Sequence, residues 1–62
     1  MPFIRISIAG NSPSSDQTIQ LQQQTTQLMV NILGKRPEVT VVSVESNAAT
    51  NWSVGGNSLA DS

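Results

Sequence analysis

A single helical stretch lies between two alternating β-branched runs, and that order leaves few folds open to the chain. The first run, "FIRISIA", alternates strictly: Ile4, Ile6 and Ile8 share one face with Pro2, while Phe3, Arg5 and Ser7 take the other. The second run, "PEVTVVSVE", reads as a strand opened by Pro37. Thr40, Val42 and Val44 fall on one of its faces, and Val39, Val41, Ser43 and Glu45 on the other. Between them, from Ser15 to Leu33, Leu21, Thr25, Leu28, Met29 and Ile32 recur at the spacing of one buried helical stripe. Ile19, Thr26, Val30 and Leu33 form a weaker stripe beside it, and the glutamines (Gln17, Gln20, Gln22, Gln23, Gln24 and Gln27) read as the solvated face.

The punctuation agrees with this division. "GNSPSS" is a turn cluster, and Ser14 precedes Gln17 by the three residues of a capping box. Asp16 suits the positive end of the helix dipole, Gly34 the C′ position, and Lys35 and Arg36 the negative end. "SNAATNWSVGGNS" is loop-like, with Gly55-Gly56 as a hairpin turn signal. The tail "LADS" is expected to fray.

Strand, helix, strand in this order predicts an α/β fold: one βαβ unit with parallel strands joined by a right-handed crossover. A hairpin-like segment follows, and residues 1–62 form a single domain. One helix covers one face of such a sheet. The other face carries Phe3, Val39 and Val41, and parallel sheets are nearly always buried on both sides. The uncovered face must therefore meet another subunit.

Composition points the same way. A chain of 62 residues buries only about 60% of its unfolded surface, so its core needs a staple. There is no cysteine and no histidine, which excludes disulfides, thiolate nucleophiles, His-dependent catalytic pairs and ordinary zinc sites. Oligomerisation is the remaining staple, and no cofactor is called for. The net charge is −1, and Arg5, Lys35 and Arg36 are the only cations, too few for a nucleic-acid-binding face. No apolar run approaches the roughly 18 residues of a membrane span, and no signal peptide is visible. A soluble, cytoplasmic protein is the expectation, with no nucleic-acid or membrane partner.

Pro2 directly follows Met1. It can begin an edge strand without wasting an N–H. Removal of Met1 would instead leave it as a free secondary amine, a proton acceptor that needs no other side chain. An α-amino group titrates near about 7.7–8.0, and burial or a nearby cation lowers that value towards the range in which a general base works best.

A chain of this length starting Met-Pro-aromatic, with one amphipathic helix ending "LGKRP", then "VTVVSVE" and "NWSVGG", resembles the tautomerase superfamily. It is most similar to the short 4-oxalocrotonate tautomerase-type subunits, whose loop reads Asn-Trp-Gly-x-Gly-Gly. The likeness runs from Pro2 to Gly56. It implies a βαβ subunit assembled into dimers and trimers of dimers, so a homohexamer is expected, with a dimer as runner-up. It also implies an isomerase in which the amino-terminal proline shuttles a proton during keto–enol conversion of a small 2-oxo or enol acid. Related dehalogenases and hydratases use the same proline, and a non-catalytic scaffold of the same fold is a further alternative.

The resemblance extends to a substrate-binding set of Arg5, Asn11, Thr40, Asn51 and Trp52, each with a second reading. Arg5 is a pocket cation or an interface ion pair with Glu45. Trp52 is an apolar wall or an interface plug, and Asn51 a substrate contact or a turn cap. Asn11 stands where diacid-handling relatives carry one arginine, and Thr40 or Val41 where they carry another. Neither Asn nor Thr supplies a charge or a bidentate fork, so monoacids or neutral enols are expected ahead of dicarboxylates.

Overall fold

The computed structural model describes residues 1–61. Strand β1 spans Phe3–Ala9, helix α1 Ser15–Leu33 and strand β2 Val41–Asn47. Strands β1 and β2 pair in parallel from Phe3↔Val41 through Arg5↔Ser43 to Ala9↔Asn47. A short antiparallel hairpin, β3 (Ser53–Val54) and β4 (Asn57–Ser58), completes the chain.

Each boundary has a local cause. Gly10 ends β1 at φ 111°, and its N–H donates to the Asn47 carbonyl at 2.7 Å. The capping box forms: the Gln17 N–H donates to Ser14 Oγ at 3.1 Å, and the Ser14 N–H to Gln17 Oε1 at 2.9 Å. At the other end Gly34 turns left-handed at φ 65°, and the N–H groups of Gly34 and Lys35 satisfy the Val30 and Met29 carbonyls. Gly55 and Gly56, at φ 59° and 84°, supply the two positive angles that a two-residue hairpin turn of the I′ type requires.

Three expectations need correction. Pro37 does not open the second strand. It begins a 3₁₀ turn, Pro37–Val39, because proline suits the first helical position and has no N–H for a ladder. The strand starts only at Val41, whose N–H donates to the Pro2 carbonyl at 3.0 Å, so Val39 is not on the sheet. The tail is not irregular as far as described: Leu59–Asp61 forms a 3₁₀ turn, and the Leu59 N–H donates to the Trp52 carbonyl at 3.0 Å. Ser62 lies outside the described residues.

The third correction concerns the helix. Its half-buried residues are Thr18, Leu21, Gln22, Thr25, Thr26, Met29 and Val30, a stripe that straddles the two predicted ones and includes a glutamine. Leu28, Ile32, Ile19 and Leu33 stay 51%, 72%, 48% and 56% exposed. A two-stranded sheet is too narrow to cover both stripes.

The strand faces are as expected. Ile4, Ile6 and Ile8 are half-buried, opposite Val42, Val44 and Ser46 in register, while Phe3, Arg5 and Ser7 are exposed. Yet among the described residues none is fully buried. The lone chain measures 41 × 25 × 14 Å, and its radius of gyration is 14.4 Å; a compact chain of this length has about 11 Å. Its surface of 4620 Å² compares with about 3,900 Å² for a compact monomer of 6.6 kDa. The excess, roughly 700 Å², is close to what one partner contributes to a standard interface. No helix among the described residues is long and apolar enough to cross a membrane.

Candidate active site

Strand β1 delivers Pro2 at one end of the sheet. Pro2 is half-buried, and its carbonyl is tied to Val41 through the bond described above. Met1 before it is 73% exposed. Thr40 lies at the same end, half-buried, because it immediately precedes Val41. Its hydroxyl donates to the Arg36 carbonyl at 2.8 Å, so the one hydrogen it could offer a ligand is already engaged.

Arg5 lies on the open face, away from the helix. Its Nε is 3.3 Å from Glu45 Oε1, with the two side chains 74% and 45% exposed. The register explains the pair: Arg5 is opposite Ser43, so Glu45 is its diagonal neighbour on the same face, two residues further from Pro2. Ser43 Oγ donates to the same carboxylate oxygen at 3.4 Å. The interface-pair reading of Arg5 thus has its partner within the chain. At the Pro2 end of the strands, a shallow depression of about 230 Å³ is lined by Phe3, Ile4, Arg5, Val41 and Ser43. Sequence reasoning did not single out Ser43 for this site; the Arg5↔Ser43 register is what brings it in.

The other three candidates belong to the opposite end. Asn11 is exposed in the turn after β1, and a hydrogen bond of 2.6 Å between the Ser12 and Ser46 hydroxyls holds that turn to β2. Asn51 is exposed at the end of a 3₁₀ turn, Ala49–Asn51, that follows β2. Trp52 comes next, half-buried, and its Nε1 is covered by its own chain with no hydrogen-bond partner. Seven strand residues at a rise of about 3.3 Å separate the two ends by roughly 23 Å. The strands therefore place Pro2, Thr40 and the Arg5 depression at one end of the sheet, with Arg5 on its open face and Pro2 and Thr40 in line with the helix face, and they deliver Asn11 and the Asn51–Trp52 loop elsewhere.

The other two cations follow the helix. Arg36 is 3.4 Å from Glu38, and Lys35 is exposed beside it. Chemically, the Pro2 end offers an apolar wall, a proline and a guanidinium already neutralised by a carboxylate.

A parallel βαβ unit with an open sheet face and a proline at the head of its first strand defines a class of small α/β proteins. The chain matches the family model described as tautomerase enzyme over residues 2–62, and it belongs to that family. It is 39% identical over 61 residues to a probable tautomerase K2 of Dickeya dadantii (strain 3937), covering 98% of this chain and 91% of that one. Among solved structures it is similar to DmpI from Helicobacter pylori, with TM-score 0.89, 31% identity, and coverage of 97% and 92%. Its fold is also that of a heterohexameric 4-oxalocrotonate tautomerase from Chloroflexus aurantiacus J-10-fl, with TM-score 0.85, 21% identity, and coverage of 98% and 97%. The subunit is thus of the short 4-oxalocrotonate tautomerase type.

Proposed function

We propose that the protein is a tautomerase that moves a proton between carbon and oxygen of a small 2-oxo or enol acid, with Pro2 as base and acid. The family match begins at Pro2, and that observation carries the reading. Once Met1 is removed, the Pro2 nitrogen is a secondary amine beside the apolar Phe3 and Val41. It takes the proton from the enol hydroxyl, leaving a delocalised enolate, and returns it to a carbon of that enolate; for a 2-oxo acid the same steps run in reverse. Any cofactor would be superfluous to such a transfer, because the amine alone both accepts and donates the proton.

The working form is a homo-oligomer. Support comes from the absence of any fully buried residue among those described and from the excess surface of the lone chain. A hexamer fits best: it can cover both the sheet face and the exposed side of the helix, whereas a dimer leaves one of them bare. The hexameric fold neighbour is compatible with this. In the oligomer, Asn11, Asn51 and Trp52 of one copy complete the pocket at Pro2 of another. Arg5 and Thr40 border that pocket from the side of Pro2.

The test compares three samples on phenylenolpyruvate and 2-hydroxymuconate: protein with Met1 removed, protein retaining Met1, and the Pro2→Ala variant. While Met1 remains, the Pro2 nitrogen is an amide whose lone pair is delocalised, so it has no useful basicity. Activity is expected from the trimmed protein alone, with intact mass verifying each sample. Equal rates with and without Met1 would remove Pro2 as the base. No acceleration by any sample would leave a non-catalytic scaffold, a reading that the uncharged side chains at Asn11, Thr40 and Val41 favour.

A further inference from the structure

From the charges on the open sheet face, we infer that Arg5 and Glu45 exchange partners between copies of this chain and thereby specify its self-assembly. The inference rests on the homo-oligomer proposed above. It goes beyond it by naming the surface and the residues that decide which partner fits.

Arg5 and Glu45 are the only charged residues on strands β1 and β2. They share the face that the helix leaves open, with Phe3 74% and Val41 40% exposed at its Pro2 end. Within the chain their contact runs through Arg5 Nε and one carboxylate oxygen, Oε1. The two terminal nitrogens of the guanidinium and the second carboxylate oxygen remain for other partners.

Covering this face removes water from those groups. A desolvated charge without a partner is strongly destabilising, whereas a charge with a full set of hydrogen bonds is tolerated. Lys35, Arg36 and Glu38 lie in the connection between α1 and β2, Asp16 is in the first turn of α1, and Asp61 ends the 3₁₀ turn after β4. None belongs to this face. Where two such faces meet, the charged group able to complete the hydrogen bonds of an incoming Arg5 is therefore the Glu45 of the other copy, and the reverse. A patch holding one cation and one anion is self-complementary, as a symmetric assembly requires. A purely apolar partner would leave the two terminal guanidinium nitrogens and the second carboxylate oxygen without hydrogen bonds.

The test uses the full chain with Arg5→Glu, Glu45→Arg, the double exchange, and Glu45→Gln. Each is followed by sedimentation velocity over a concentration series, with far-ultraviolet circular dichroism as a fold check. Arg5→Glu carries two anions on the face and Glu45→Arg two cations. Each alone is expected to need about a hundredfold or more higher concentration to assemble than the unaltered protein. Mixed in equal amounts, the two should co-assemble at the unaltered protein's concentration, even if each alone is unfolded.

Rescue in the double exchange without co-assembly of the mixture would confine the pair to one chain and overturn the inference. So would normal assembly of both single variants. Glu45→Gln keeps shape and removes charge, so it provides an arm that does not depend on misfolding. Its assembly should weaken about tenfold and lose the salt dependence seen in the unaltered protein; unchanged affinity and salt slope would also overturn the inference. An unaltered protein that stays monomeric would instead defeat the oligomer reading itself.

Discussion

Replacing Phe3 with alanine tests the open sheet face most directly. Phe3 is 74% exposed in the lone chain. An aromatic side chain covers about 150–250 Å², so assembly would remove roughly 150 Å² of ring from water at each copy. At about 25 cal/mol per Å² that is nearly 4 kcal/mol, and about 3 kcal/mol once the alanine methyl is allowed for. A loss of this size weakens subunit affinity by more than about a hundredfold. The assay is sedimentation across a concentration series, read beside the helical circular dichroism signal. Mass and helicity should fall together, because no described residue is fully buried without a partner. Gln20→Ala, on the polar glutamine side of α1 away from the exposed Leu28 and Ile32, serves as the control and should change neither signal. If Phe3→Ala assembles at the same concentrations as the unaltered protein, the sheet face is not the interface and the area argument fails.

The capping box offers a local test: Ser14→Ala should lower stability by about 1 kcal/mol, read as thermal melting at fixed protein concentration. Ser14→Asp should recover most of that loss. Gly34→Ala forces a left-handed residue with a Cβ at φ 65°, which costs roughly 1–2 kcal/mol by the same assay. For the trimmed enzyme, kcat/KM should favour monoacids or neutral enols over dicarboxylates by about tenfold to a hundredfold, the worth of one charged hydrogen bond. The reverse preference would mean that Lys35 or Arg36 of a neighbouring copy reaches the pocket.

What was legible in the sequence follows the range of the interactions. The first strand, the helix with both its caps and the glycine hairpin are set by residues within a turn or two of each other, and each forms as read. The Pro37 boundary failed because a period-two pattern continues through "PEVTVV" whether or not the backbone is extended. The missing N–H of proline carried the deciding signal. The helix stripe failed for a different reason. Periodicity identifies which residues are apolar, but the sheet's width decides how many of them a single chain can cover. Leu28 and Ile32 are the apolar residues that the proposed oligomer would have to cover, and one chain's sequence does not describe that neighbour. Arg5 and Glu45 were suggested as a pair because alternation puts both on one face, yet the register was needed to make them diagonal neighbours.

The candidate site resists reading from one chain for the same reason, and that makes it testable by complementation. Parallel strands necessarily carry Pro2 to one end of the sheet and the loop holding Asn51 and Trp52 away from the other. A pocket that uses both must draw them from two copies. Pro2→Ala lacks the proposed base, and Trp52→Ala lacks the proposed wall. In mixed oligomers, a site with both groups intact arises when its proline comes from a Trp52→Ala chain and its tryptophan from a Pro2→Ala chain. With equal random mixing in a symmetric assembly this holds for about one site in four. The mixture, refolded together from trimmed subunits, should recover roughly a quarter of the unaltered activity, while each variant alone stays low. If Pro2 and Trp52 acted within one chain, no mixed site would contain both, and mixing would recover nothing. If Trp52→Ala alone were fully active, Trp52 would play no part in the pocket.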